Sequence, residues 1–215
     1  MPDHLAVTIP LKDIQRIQLY INTARRSLSQ IQRETGADYI LNGTLYNMST
    51  FVPNCHLKAD GKVLCKPAYT VSGYSWNEGP DISMDTLPDA SQRNYITCTP
   101  LVVSGKPISK LIYDEGQGGK RGRSAIGIKG GSLALYCTRD GGSMTRTPEA
   151  LRDDLTAAGW DSAVMLDSGG SSQCYFNGAV IQSSRNVHDL ILVYLKKWET
   201  TVEKKKVVLD PGHDA

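Results

Sequence analysis

No apolar run in this 215-residue chain approaches the roughly 20 residues that cross a bilayer, so membrane insertion is not expected. The first ten residues lack the basic stretch followed by an apolar one that marks a secretory leader, and the expectation is a chain made in the cytoplasm. An excess of one charge is also missing. Lys and Arg number 24 against 22 Asp and Glu, a net charge of +2, which leaves no electrostatic footprint for nucleic acid. Five cysteines occur, none in a CxxC pair, and an odd number cannot all pair within the chain. Cys137 and Cys174 lie in apolar stretches where cysteine acts as a small hydrophobe. A reduced chain is therefore expected, with Cys55 and Cys65 alone close enough in sequence for a local bridge. What is present suffices for a core: 40% of the residues are apolar, enough for one substantial domain or two small ones without disulfides.

The pattern of elements is mixed. Ile14 to Asn22 alternates as a strand, and Ser27 to Glu34 has Leu28 and Ile31 at helical spacing with Gly36 as a stop. Residues 37–41 form a second strand that enters an Asn42-Gly43 turn. The segment 52–119 is broken by Gly and Pro, with short strands expected at 63–64, 70–71, 95–97 and 101–103. The loop 116–122 reads as a solvated basic connector. Residues 124–129 and 133–138 make a hairpin across Gly130-Gly131. Thr147 to Ala158 is a helix with Thr147 as cap, Pro148 in its first turn and Gly159 at its end. Strands follow at 162–166, 173–176, 179–182 and 190–195. The fold class expected is α+β: a mixed, largely antiparallel twisted sheet with two packed helices, whose Leu28/Ile31 and Leu151/Leu155 faces cover it.

Chemistry-bearing residues gather at the ends of these strands. An apolar strand delivers Asp167, two glycines follow at 169 and 170, and Ser171 and Ser172 come next. Such a turn can open backbone N–H groups to an anion, or it can serve only to cap backbone groups. Arg123 enters a strand from the glycine-rich loop, where its planar fork suits a phosphate, or else a surface carboxylate. Arg185-Asn186 enters another strand, Asp140-Gly141-Gly142 leaves one with a carboxylate, and Asn42-Gly43 leaves one with an amide.

In this order and spacing, over residues 14 to 195, these motifs resemble the phosphodiester glycosidase family. The match is carried by Arg123-Ser-Ala-Ile-Gly, Asp140-Gly, Met144-Thr-Arg-Thr-Pro-Glu-Ala-Leu, Asp167-Ser-Gly-Gly-Ser-Ser and Arg185-Asn-Val. Three positions depart from the family pattern. Ser168 replaces a glycine, Gly142 replaces an arginine, and Thr44-Leu45-Tyr46 stand where paired phenylalanines follow Asn-Gly. The resemblance implies a sugar-1-phosphodiester or carbohydrate-phosphate polymer as substrate and no cofactor. Asp167 would be nucleophile or base and Asp140 acid or orienter, with Asn42, Arg123, Gly169, Gly170, Ser171, Arg185 and Asn186 binding substrate. Asp167 and neighbouring carbonyls are oxygen ligands of the kind Ca²⁺ takes, but no dedicated ligand spacing accompanies them.

The end of the chain differs in character. Residues 196–206 read as a Lys-rich linker, which closes a domain at 195. Val207-Val-Leu-Asp-Pro-Gly-His213 is similar to the opening of zinc N-acetylmuramoyl-L-alanine amidases, in which His213 would be the first zinc ligand. A catalytic zinc needs about three protein ligands, so residues 207–215 alone imply no amidase activity. They imply a peptidoglycan-degrading parent, a phage or bacterial lysin acting at the cell wall. The competing expectation is a non-catalytic module that binds a cell-wall sugar-phosphate.

Overall fold

The computed structural model describes residues 1–86, 88 and 91–198. The strand expected at 207–215, with His213, and most of the segment 196–206 lie outside the described residues.

A strand that is apolar at nearly every position needs cover on both faces. Asp189–Leu195 is such a strand: Ile191 and Val193 enter one core, while Leu190, Leu192 and Tyr194 enter another. Ser132–Thr138 behaves likewise, with Leu133, Leu135 and Cys137 on one side and Ala134 and Tyr136 on the other. Two sheets therefore face each other across a central core, and each carries a helix on its outer face.

The first outer helix, α1 (Leu28–Thr35), starts in a reciprocal cap between Ser27 and Gln30, and Gly36 at φ 67° ends it. Its Leu28 and Ile31 pack on Ile40, Leu190 and Leu192. The second, α2 (Pro148–Ala157), is capped by Thr147, whose hydroxyl accepts from the Ala150 N–H at 3.1 Å. Leu151 and Leu155 pack on Leu101, Ala125 and Met165. Full burial of one such leucine contributes about 1.5–3 kcal/mol.

The sheet under α2 has six strands in the order His4–Pro10, Ser132–Thr138, Ser124–Lys129, Ser162–Met165, Thr99–Val103, Lys106–Pro107. The sheet under α1 has five, in the order Ala179–Ile181, Cys174–Phe176, Tyr39–Asn42, Asp189–Leu195, Ile14–Ile21. A third sheet of five short strands sends Leu57, Tyr74, Trp76 and Ile96 into the central core. It is tied down by Trp76 Nε1, which donates to the Ile17 carbonyl at 2.9 Å, and by the 2.6 Å Tyr74–Ser162 hydroxyl pair.

The fold is thus α+β with two helices, and every strand pairing among the described residues is antiparallel. It differs from expectation in dividing its strands among several sheets. Period-two alternation reports which face is buried but not which sheet a strand joins. Residues 70–71 are not a strand; the nearby strand is Gly73–Trp76, whose glycine admits the backbone of Ile96 at 2.5 Å from where a Cβ would sit. His4–Pro10, unremarkable as sequence, pairs along its whole length with Ser132–Thr138.

Candidate active site

The two facing sheets meet at one end, and Asn42 joins them. It is fully buried at the end of Tyr39–Asn42, with its side-chain amide donating to the Asp167 carbonyl at 2.9 Å. Its Oδ1 accepts from the Gln173 N–H at 3.1 Å and from the Ser124 hydroxyl. Gly43 follows because nothing larger fits: a Cβ there would overlap the Asp189 carboxylate. The Gly43 carbonyl accepts from the Asp167 N–H at 3.0 Å, and the Leu166 N–H donates to the Ser124 carbonyl at 2.8 Å. Asn42 was expected to touch substrate; its polar atoms are instead used to hold the backbone that carries Asp167.

Asp167 itself is 5% exposed. Its Oδ1 accepts from Gln117 Nε2 at 3.1 Å and from the Ser168 N–H at 2.9 Å. Burial pushes its carboxyl above the usual aspartate range, against the lowering effect of hydrogen bonds from Ser171, Gln117 and Ser168. A buried carboxyl displaced toward neutrality is the type of group that serves as a base or nucleophile near neutral pH. The departure at Ser168 is accommodated, since its φ of −126° asks for no glycine.

The turn Gly169–Ser171 places the cations. Gly169 has φ 63°, where a side chain costs about 1 kcal/mol or more. Its N–H donates to the Gly122 carbonyl at 2.8 Å, so this amide is not open to an anion as expected. Gly170 lies under the guanidinium of Arg185, with a Cβ position only 2.8 Å from Arg185 Cζ. Arg185 also donates to the Ser171 hydroxyl at 3.4 Å. Arg121 reaches the same place from the other side, with one guanidinium nitrogen 3.9 Å from the Gly169 Cβ position and its Nε donating to the Gly118 carbonyl at 2.7 Å. Neither arginine makes an ion pair among the described residues. Tyr46, Arg121, Asp167, Gly169, Gly170 and Arg185 wall a hollow of about 310 Å³.

Other expected residues lie elsewhere. Arg123 is fully buried, and its fork is spent on carbonyls: Nε to Arg146 at 2.8 Å, one terminal nitrogen to Gln117 at 2.7 Å, the other to Gly119 at 2.6 Å. Desolvation, with Arg121 nearby, lowers its pKa to about 10. No free fork remains for a phosphate. Asp140 is exposed and accepts from the Gly122 N–H at 2.8 Å. It lines a separate hollow that shares Gly169 and Gly170 with the first. Gly142 has the Asp3 carboxylate 2.9 Å from its Cβ position, so a longer side chain would be crowded there. Asn186 is exposed and donates to the Arg25 carbonyl at 2.7 Å, a clamp between loops rather than a wall of the hollow.

The sequence reading missed several groups. Gln117 and Arg121 belong to the loop 116–122, taken for a connector; it is a wall of the site, held by Arg123 from below. Gln117 Oε1 is buried without a partner. Asp189 is also buried, and burial raises its pKa against its bonds from His188 at 2.9 Å and the Thr44 N–H at 2.8 Å. This pair secures the turn after Asn42. All five cysteines are free thiols; Cys55 is hydrogen-bonded to Cys98, and no bridge joins it to Cys65. No three His, Cys, Asp or Glu side chains among the described residues cluster so as to hold a metal ion, and no described helix is long and apolar enough to cross a membrane.

Three comparisons place this arrangement among known proteins. The family model for phosphodiester glycosidases matches residues 18–194. No curated protein matches the sequence. Among solved structures, the catalytic domain of zebrafish N-acetylglucosamine-1-phosphodiester α-N-acetylglucosaminidase, auto-inhibited by its pro-peptide, superposes with a TM-score of 0.67 at 12% identity, covering 90% of this chain and 84% of that one. A hypothetical protein from Synechocystis gives 0.71 at 12% identity over 90% of this chain and 59% of its own. A Burkholderia pseudomallei protein described as exported gives 0.60 at 11%, over 89% and 73%. At these identities the likeness is one of fold.

Proposed function

The chain belongs to the phosphodiester glycosidase family, and from that premise we propose that it hydrolyses a sugar-1-phosphodiester, with Asp167 acting at the anomeric carbon. The observation that carries this reading is a buried carboxyl with a raised pKa beside two guanidinia that have no ion-pair partner among the described residues. A glycosyl phosphodiester suits this hollow: its phosphate is an anion for Arg121 and Arg185, and its sugar hydroxyls can donate to the unpartnered Gln117 Oε1.

Hydrolysis at an anomeric carbon passes through an oxocarbenium-like state, for which a nearby carboxylate is the usual stabiliser. Asp167 would act as nucleophile or as the base that draws a proton from water. The leaving group is a phosphate monoester with a second pKa of about 6, so it departs without a strong general acid. That lightens the role expected of Asp140, which lies beyond the Gly169-Gly170 turn. Arg185 and Arg121 would stabilise the charge that gathers on the departing phosphate. Asn42, Arg123 and Asn186 act as positioning residues: Asn42 fixes the Asp167 backbone, Arg123 fixes the Gln117–Gly119 loop, and Asn186 fixes the loop at Arg25.

The physiological substrate in this reading is a sugar-phosphate polymer of the bacterial cell wall. It is supported by the amidase-like sequence at 207–215, which points to a lysin. The test is incubation of the purified protein with isolated wall polymer. Release of sugar and phosphate supports the reading. Sedimentation with the wall without release identifies a binding module instead, a reading favoured by the Gly142 departure.

A further inference from the structure

Four of the five thiols stand in two hydrogen-bonded pairs, Cys55 with Cys98 and Cys137 with Cys174. The pairs differ in access. Cys137 and Cys174 are enclosed in the central core, each 0% exposed. Cys55 and Cys98 instead line a hollow of about 370 Å³ that adjoins the first and shares Leu45, Asn54, Asp114 and Gln117 with it. Tyr69 and Ile112 in its wall are 57% and 72% exposed, so the hollow opens to solvent. Cys65, opposite Leu57 in a strand pair, is not among its described lining residues. The thiol pair also has a place in the wall of the first hollow. Both ends of the segment 44–55 are held to residues 97–98: the Thr44 hydroxyl donates to the Thr97 carbonyl, and Cys55 meets Cys98. Between these ties Leu45, Tyr46, Met48 and Asn54 line the first hollow, with the Asn54 N–H donating to the Leu45 carbonyl at 2.8 Å.

We propose that Cys55 and Cys98 form a thiol–disulfide site whose oxidised state locks the 44–55 wall of the first hollow. The reaction is exchange with a small uncharged disulfide, RSSR, that enters the second hollow. An anionic one is disfavoured, because the Asp114 carboxylate and no Lys, Arg or His stands among the described lining residues. Cys55 is the attacking sulfur. The bond donated by Cys98 holds its pKa below the usual thiol range despite burial, and the same bond together with burial holds Cys98 well above that range. The Cys55 thiolate forms a bond to one sulfur of RSSR and expels RS⁻, which takes up the proton that Cys55 released. The Cys98 sulfur then gives up its proton, attacks the Cys55 sulfur of the mixed disulfide and expels the second RS⁻, which leaves as RSH. The two thiols lose two electrons and two protons, and RSSR receives them as two RSH. Control of turnover by this lock rests on the phosphodiester reading above; the bridge itself does not.

The experiment incubates the reduced whole chain with bis(2-hydroxyethyl) disulfide, alkylates the remaining thiols under denaturing conditions and maps the peptides by mass spectrometry. One cross-linked pair, Cys55 with Cys98, is expected, reversed by dithiothreitol, while Cys137 and Cys174 stay alkylatable. The oxidised protein should melt about 5–10 °C higher, because the bridge constrains the unfolded chain between 55 and 98. Hydrogen exchange of the amides in 45–54 should slow by about threefold or more. A Cys98→Ser variant should stop at a mixed disulfide on Cys55 and show neither change. Serine is close to cysteine in size, and the melting temperature of the untreated variant checks its fold; the mapping of the wild type needs no variant. Cys55 and Cys98 left alkylatable in excess reagent overturn the proposal. So does a Cys55–Cys65 bridge, oxidation of Cys137 and Cys174 before the other pair, or a lower melting temperature on oxidation. Unchanged exchange in 45–54 overturns the lock. Turnover enters none of these readings: an inert protein that forms the bridge removes the catalytic reading alone, and an active one that does not removes this proposal alone.

Discussion

Replacing Gly170 with alanine puts a methyl group 2.8 Å from Arg185 Cζ and 3.0 Å from its Nε and one terminal nitrogen. These are closer approaches than carbon tolerates, and the guanidinium is the part free to move. Gly170 does not have a positive φ, so alanine brings no backbone strain of its own. Arg185 is exposed and makes no ion pair among the described residues, so displacing it should cost the fold less than about 1 kcal/mol. The cost appears at the anion. A charge-assisted hydrogen bond contributes about 1.5–3 kcal/mol, and an exposed arginine belongs at the low end, which is about a tenfold loss of phosphate affinity. Titration of phenyl phosphate into wild type, Gly170→Ala, Arg185→Ala and the double variant checks this. The single variants should lose similar affinity, and the double variant should be no worse than Arg185→Ala, because both remove one interaction. Wild-type affinity in Gly170→Ala, or losses that add in the double variant, would refute the placement of Arg185 over the turn.

Asn42→Ala strips partners from the Asp167 carbonyl, the Gln173 N–H and the Ser124 hydroxyl, all buried, and should cost about 3–5 kcal/mol in urea unfolding. Arg123→Lys keeps the charge but cannot reach three diverging carbonyls, and a loss of about 2–4 kcal/mol is expected in the same assay. Asp167→Asn should stabilise the protein by about 1 kcal/mol at pH 7. Its folded pKa is raised by burial, so the charged carboxylate is a cost that is absent below the ordinary carboxylate range and grows as pH rises through the folded pKa. Melting temperatures of the two proteins should accordingly converge as pH falls to about 3.

Local chemistry was the part of this fold written plainly in the sequence. The caps at Ser27 and Thr147, the stop at Gly36 and the hairpin at Gly130-Gly131 each depend on residues within a turn of one another. The strand end at Asp167 was legible for the same reason, since an apolar run ended in a carboxylate and two glycines. The roles of Asn42 and Arg123 were not. An amide or a guanidinium is read as available until its partners are known, and theirs come from residues 125 positions away and from carbonyls, which no sequence pattern marks. Arg121 could have been found: it lies in the same glycine-rich basic loop as Gln117, and the absence of an arginine at Gly142 was a reason to look for one elsewhere. Gln117 meets Asp167 across 50 residues and left no comparable signal. The α+β class followed from the mixture of periods, whereas the partition into sheets depended on long-range pairings such as His4–Pro10 with Ser132–Thr138.

The central claim is that Asp167 acts at the anomeric carbon of a glycosyl phosphodiester. Its most direct measurement is sugar release from a defined N-acetylglucosamine-1-phosphodiester by wild type and by Asp167→Asn, with phenyl phosphate binding followed in parallel. The account predicts that the variant keeps ligand affinity within about twofold while turnover falls by about a thousandfold or more, since one group essential to the chemical step is lost. Equal turnover by both proteins would contradict it.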